Sequence, residues 1–425
     1  MNVKSLPTLA LLLALIGSAL ANDWPQWRGP DRTDVSKEKG LLPSWPKGGP
    51  KLLWTFRDAG NGYSSPAIVG DRLYSMGADK EKEHVFALDL TTQKKAWSTE
   101  VGPTFLQNKG DGPRGTPTVD GGLIYAIGGQ GNLVCVKADT GEKVWQKALK
   151  QDVNGAMMSG WGYSESPLVD GDQVVATPGG SKGTVAAFNK KTGELLWQSA
   201  GLTDPAAYSS LIAVEFGGVR QYILMTGKSV AGVAAADGKL LWRVDRNGPV
   251  APAATPIFSN GYVYVSSAYD AGCDLVKLTG EGAGIKAEKI YQKNKNMFNH
   301  HGGVLLVGDH LYGCSGGNGQ RPLWVCQELK TGEVVWKEPE ATFGKGSLTC
   351  AGGHLYCYSE SDGSCVLVEA SPKAWKESGR FKVPEQTKLG RNQGKIWTHP
   401  VVSNGRLYLR DQELIFCYDV AAKSS

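Results

Sequence analysis

"SPLVDGDQVVATPGGSKGTVAAFNKKTGELLW", residues Ser166–Trp197, decides the fold. It runs from a Ser-Pro pair through a Gly-Asp turn, an apolar strand, a glycine-rich loop, a second apolar strand and a Thr-Gly turn to a Trp. The segment upstream, "TPTVDGGLIYAIGGQGNLVCVKADTGEKVW" (Thr116–Trp145), repeats the same parts in the same order. The closing word returns as "TGEVVW" at Thr331–Trp336. The turn-and-strand word returns eight times: "GDRLY" at Gly70, "GGLIY" at Gly121, "GDQVV" at Gly171, "GGVRQYI" at Gly217, "NGYVY" at Asn260, "GDHLY" at Gly308, "GGHLY" at Gly352 and "NGRLY" at Asn404.

A spacing of about 40–50 residues is the period of propeller blades. Each copy supplies four short strands. Asn/Asp-Gly and Gly-Gly pairs give the positive φ that a tight hairpin between the first two strands needs. Thr-Gly turns the chain into the fourth, outer strand, and the Trp near its start can pack on the neighbouring blade. The last copy ends at "LIFCYDV" (Leu414–Val420) without a fourth strand, while "KLLWTF" (Lys51–Phe56) stands alone at the front with the right Trp. The sequence therefore predicts an all-β, eight-bladed propeller of four-stranded antiparallel blades, with its ring closed by strand 51–56, which removes two exposed sheet edges.

The predicted organisation is a signal peptide over 1–21, a Trp/Pro-rich extension over 22–50 and the propeller over 51–425. The leader has one Lys, an apolar run too short to span a bilayer and a small-residue site at Ala19–Ala21, with no Cys to make it a lipoprotein. A periplasmic or secreted protein with no membrane insertion follows. The extension carries Trp24, Trp27 and Trp45 and no strand pattern, so packing along the outside of the ring is expected. Lys plus Arg is 46 against 41 for Asp plus Glu, a scattered excess that argues against nucleic acid. Of the eight Cys, Cys135, Cys326 and Cys417 occupy a repeat slot held elsewhere by Ala87 and Ala187, as buried free thiols do. Cys357 and Cys365 flank a short turn, where a bridge across a hairpin is the less favoured alternative.

The unit A-x-D/N-x-x-T-G-x-x-x-W, seen in "AFNKKTGELLW" (Ala187–Trp197) and, with Thr-Gln for Thr-Gly, in "ALDLTTQKKAW" (Ala87–Trp97), resembles the tryptophan-docking repeat of the pyrroloquinoline-quinone (PQQ) propeller superfamily. That superfamily includes quinoprotein alcohol dehydrogenases and the outer-membrane assembly factor BamB. "WPQWRGP", "NHHGG" and "RDQELIFCYDV" are similar to exported PQQ-like propellers of planctomycete-type bacteria, some labelled polyvinyl-alcohol-dehydrogenase-like. The resemblance implies PQQ as a cofactor to consider. It also implies, for the dehydrogenases, a vicinal disulfide, a Ca²⁺ held by Glu, Asn and Asp, and an Asp base. This chain has no adjacent Cys pair, no calcium triad that can be mapped and no haem attachment motif.

In a propeller the loops that lead from each outer strand to the next inner strand open onto one face. Here they read "GNGYSSP", "GPRGTP", "GWGYSESP", "AAYSS", "APAATP", "FNHHGG", "GKGS" and "IWTHP". They offer Arg114, Lys345, His300, His301 and His399 with the aromatics Trp161, Trp397, Tyr63 and Tyr208, and His84 is placed in another loop of the same face. Cations among flat rings suit a planar anionic ligand. PQQ, an acidic sugar or the carboxylate of a peptide segment each meets that description. The candidate ligand residues are thus Arg114, Trp161, His300, His301, Lys345, Trp397 and His399. Glu165, the one acid of the set, is a weak candidate for a general base, and no metal site is expected. A ligand- or partner-binding scaffold is the leading reading. A PQQ-dependent alcohol oxidoreductase and a glycan- or uronate-binding or lyase-like propeller are the alternatives.

Overall fold

A computed structural model describes residues 22–316, 321–338 and 343–422; the expected leader lies outside them. The chain forms eight four-stranded antiparallel sheets. In the first blade the strands are Ala67–Val69, Arg72–Ala78, Lys82–Asp89 and Lys94–Pro103, in that order from the axis outward. The second to seventh blades repeat this over 118–148, 168–198, 212–245, 257–294, 304–337 and 346–382. The turns behave as their composition requires. Asn260 and Asn404, at the start of the first hairpin, have φ of 49° and 54°, the left-handed region where Gly and Asn are tolerated.

The eighth blade takes Val401–Ser403, Arg406–Asp411 and Leu414–Asp419 from the end of the chain and Lys51–Phe56 from its front. Trp54 lies opposite Cys417. Trp97, Trp145, Trp197 and Trp336 lie opposite Ala87, Cys135, Ala187 and Cys326 in the same way. The closing strand thus keeps the register of the repeat.

The core is divided among the interfaces between blades. One cluster joins the first and second blades through Tyr74, Met76, Ile124 and Val134. Others link each successive pair, and the last joins the eighth blade to the first through Tyr408, Ile415, Ile68 and Phe86. Docking Trp residues fasten these wedges from outside. The indole N–H of Trp97 donates to the Ala138 carbonyl at 3.1 Å and that of Trp145 to the Lys190 carbonyl at 3.0 Å, each on the next blade. The recurring Thr-Gly is the seat for that ring. A Cβ on Gly193, at φ +71°, would stand 2.7 Å from the Trp145 ring. One on Gly141 would stand 2.5 Å from that of Trp97. The spelling therefore repeats because it contains both the docking ring and the place where the preceding ring docks.

The extension does not lie along the outside of the ring for its whole length. Trp45 packs against Phe381 and Tyr356 on the seventh blade, but residues 24–36 enter the central channel. Trp24 exchanges backbone bonds with Ile68 of the first blade, and the Pro25 carbonyl accepts from Val119 of the second. The Arg32 guanidinium donates to the carbonyls of Ser166, Pro167 and Leu211 on the third and fourth blades. Arg28 donates to the Val304 carbonyl of the sixth at 2.7 Å. Asp34 and Ser36 bond to Cys350 of the seventh. This finger turns through Arg28, Arg32 and Asp34, with φ of 62°, 54° and 61°, a strained path that is held by its many fixed partners.

All eight Cys are buried free thiols. Cys357 pairs with Val366 and Cys365 with Tyr358. Residues directly opposite share a face, so the two Cys point to opposite faces of their sheet and no hairpin bridge forms.

Candidate functional site

Above the finger, the loops between blades enclose a cavity of about 320 Å³. Seven of the inter-blade loops contribute side chains, those before the first to sixth blades and before the eighth. Trp27, from the finger, forms part of the floor, with its N–H donating to the Thr255 hydroxyl at 2.9 Å. The channel therefore ends as a blind pocket.

Arg114, Trp161, His300, His301, Trp397 and His399 all line it, as does Tyr63 and Tyr208 among the expected aromatics. Along one wall the rings form a ladder. Tyr63 stands 5.2 Å from Trp397, Trp397 4.5 Å from His301, His301 3.6 Å from His300, and His300 5.1 Å from Tyr269. Trp161 and Tyr208, 5.8 Å apart, make a second aromatic patch.

The charge at the site departs from the expected ring of cations. Burial pushes His300 down to about 3, with Lys345 adding to the effect, and drives His301 well below its ordinary value. Both are neutral imidazoles near pH 7. Arg114 has its own anchors: it donates to the carbonyls of Gly112 and Gly110 at 2.5 and 2.7 Å and lies 4.6 Å over the Phe105 ring. Burial lowers its pKa, opposed by Tyr63 and Glu83. Two of its five N–H groups serve those carbonyls, so others are left for a ligand.

His399 is 3% exposed and tied to the finger. Its Nε2 faces the His301 carbonyl at 2.9 Å, its Nδ1 lies 3.4 Å from Asp34, and its ring is 4.5 Å from Trp27. Asp34 lies in turn 3.5 Å from Arg28. His399 thus connects the cavity to the plug beneath it.

Three expectations are corrected. Lys345 is not among the residues that line the cavity; its carbonyl accepts the Glu360 N–H at 2.9 Å, and its charge is felt by His300 and His301. Glu165 is buried within the wall, accepts the Thr177 N–H at 2.5 Å and is pushed up to about 7 by burial, with Arg32 opposing. It does not reach the cavity. His84 lies on the strand Lys82–Asp89, away from the lining.

The sequence reading missed Trp27, Lys109, Ser164, Tyr269 and Gln393. Ser164 sits inside a loop already singled out. Lys109 and Gln393 come from longer loops and hydrogen-bond to each other across the mouth. Tyr269 comes from a hairpin with φ of 58° and 63° at Tyr269 and Asp270, a non-glycine left-handed pair without a sequence signature.

Among the described residues no Asp or Glu lines the cavity, and no group of His, Cys, Asp and Glu has the arrangement to hold a metal. All the Cys lie inside the blades. The lining offers a flat anion rings and a cationic edge. It does not supply the carboxylates that the calcium and base of a quinone dehydrogenase require, so it does not fit that catalytic pair.

A family profile described as outer membrane protein assembly factor BamB matches residues 81–338. The chain is 27% identical over 278 residues to an outer membrane protein assembly factor BamB of Shewanella oneidensis, covering 61% of this chain and 64% of that one. It is 26% identical over 297 residues to the quinoprotein alcohol dehydrogenase PedH of Pseudomonas putida, covering 67% and 40%. The matched region thus spans less than two thirds of either relative. Among solved structures it superposes on a quinohemoprotein alcohol dehydrogenase from Comamonas testosteroni with a TM-score of 0.66 at 11% identity, over 95% of this chain and 81% of that one, a likeness of fold. With the blades, the docked Trp residues and a profile match over more than half its length, the chain belongs to the PQQ-repeat propeller family described as outer membrane protein assembly factor BamB.

Proposed function

We propose that this protein is an exported propeller that acts as a binding module, and that its blind cavity takes a carboxylate-bearing ligand or partner segment. The observation that carries the reading is the lining itself: Arg114 and Lys109 bring positive charge, aromatic rings bring flat surfaces, and no Asp or Glu among the described residues lines the cavity beside them. Kinship with an assembly factor supports a protein segment as one kind of occupant. The leader pattern supports export to the periplasm or beyond.

The test pairs melting temperature with affinity for carboxylate-rich peptides and small acids. Arg114→Gln is expected to weaken binding by about 1.5–3 kcal/mol, roughly ten- to hundredfold. Lys345→Gln should leave affinity unchanged, because that side chain is outside the lining. His399→Gln should lower the melting temperature, because it loosens the finger. If all three variants change stability alone and no acid binds, the cavity is architecture.

A second reading, a PQQ-dependent oxidoreductase acting on alcohols, is favoured by the likeness to the dehydrogenases. Reconstitution with PQQ and Ca²⁺ followed by a dye-reduction assay on alcohols is expected to give no turnover, since the lining lacks the acids for that chemistry. Robust dye reduction would put the enzyme first.

A further inference from the structure

We propose that the occupant of this cavity is an acidic sugar, a uronate-bearing mono- or disaccharide, stacked between the aromatic patches with its carboxylate toward Lys109 and Arg114. The proposal rests on the reading of the cavity as a ligand site and commits it to one chemistry.

Sugar rings have two kinds of surface. Their faces present C–H groups, which pack on aromatic rings, and their rims present hydroxyls, which both donate and accept hydrogen bonds. The cavity supplies a counterpart to each. Trp161 with Tyr208, and the ladder through Trp397, are the flat surfaces. The His300 ring nitrogens, the Ser164 hydroxyl and the Gln393 NH₂ have no hydrogen-bond partner among the described residues, although all three side chains line the cavity. A neutral imidazole carries one donor and one acceptor, which suits a hydroxyl; a charged one only donates. Burial holds His300 in that neutral form.

The volume narrows the choice further. At about 320 Å³ the cavity is at the small end of ligand pockets, with room for one or two rings and not for a polymer. Its floor is closed by Trp27, so a chain cannot thread through. A flat aromatic acid would use the stacking surfaces and the cationic edge. It would leave the half-buried Ser164 hydroxyl and His300 ring nitrogens facing apolar carbon, without the hydrogen bonds a sugar's hydroxyls would supply. A neutral sugar would satisfy those groups but leave the charge of Lys109 and Arg114 unused.

The experiment is calorimetric titration of the protein with digalacturonate, cellobiose and phthalate, which separate acidic sugar, neutral sugar and flat acid. Digalacturonate is expected to bind at least tenfold more tightly than either of the others. Trp161→Ala and His300→Ala should each weaken it tenfold or more without moving the melting temperature. Lys109→Gln, at an exposed position on the rim, should reduce its advantage over cellobiose. Should phthalate bind as tightly as digalacturonate, in a manner sensitive to Trp161→Ala, the sugar is wrong while the binding module stands. Sugar binding indifferent to both cavity variants would place the sugar elsewhere and overturn the proposal. Failure of every probe overturns it as well; acidic peptides binding in the same titration would then keep the module reading.

Discussion

Deleting the chain through Phe56 is expected to yield a protein that aggregates, or that melts lower by on the order of 10 °C or more, because it opens the ring. The deletion removes Lys51–Phe56 from the edge of Leu414–Asp419 and leaves that apolar strand, "LIFCYD", with unpaired backbone groups facing water. Such an edge is a template for pairing with another chain. The cluster joining the eighth blade to the first loses Trp24, Leu53, Trp54 and Phe56 in the same cut. The finger goes too, so a second variant, lacking residues 22–49 but keeping the closing strand, separates the two losses. It should stay monomeric while melting lower, because the carbonyls that Arg28 and Arg32 serve lose their donors. Monomeric behaviour and an unchanged melting temperature in the longer deletion would be incompatible with closure by this strand. Light scattering and a thermal melt read both outcomes.

The closing strand was legible because it obeys the repeat. An orphan strand with a Trp at the docking position, and a final blade one strand short, point to each other whatever separates them in sequence. The same symmetry located most of the cavity, since positions just before inner strands must meet at one mouth; Arg114, Trp161, His300, His301, Trp397 and His399 do meet there. Symmetry fails where the loops stop being equivalent. Lys345 does not join the lining, and nothing in "GKGS" marks it as different. Charge was illegible for another reason. Whether His300 is a cation depends on its burial and on Lys345 beside it, neither of which is written in an "NHHGG" motif. The finger was the largest omission. Its contacts are scattered backbone bonds and side-chain donors to carbonyls on several blades, so they leave no periodicity, and "WPQWRGPDR" reads as a surface loop until the channel is seen around it.

Arg32 is where that finger is most exposed to test. The residue is 4% exposed, and its guanidinium donates to the carbonyls of Leu211 at 2.9 Å, Ser166 at 3.2 Å and Pro167, as well as to the side-chain oxygen of Gln26. Burial lowers its pKa to about 9, so it remains charged near neutrality. Arg32→Met strips donors from buried carbonyls on two blades and is expected to cost about 3–5 kcal/mol. The loss should also depend on pH, through Glu165. Burial raises that carboxyl from 4.5 to about 7, with Arg32 pulling against the rise. Between those values the folded protein holds a proton that the unfolded chain releases, so stability falls as pH climbs through the window and levels off above it. Without Arg32 the carboxyl rises further and the decline continues to higher pH. Denaturant titrations of Arg32→Met should therefore show a larger deficit at pH 8 than at pH 6. Adding Glu165→Gln, which keeps an acceptor for the Thr177 N–H, should make the deficit the same at both. A deficit below about 1 kcal/mol would mean that Arg32 does not secure the plug. One that is equally large at both pH values with Glu165 intact would mean that the carboxyl does not sense the guanidinium.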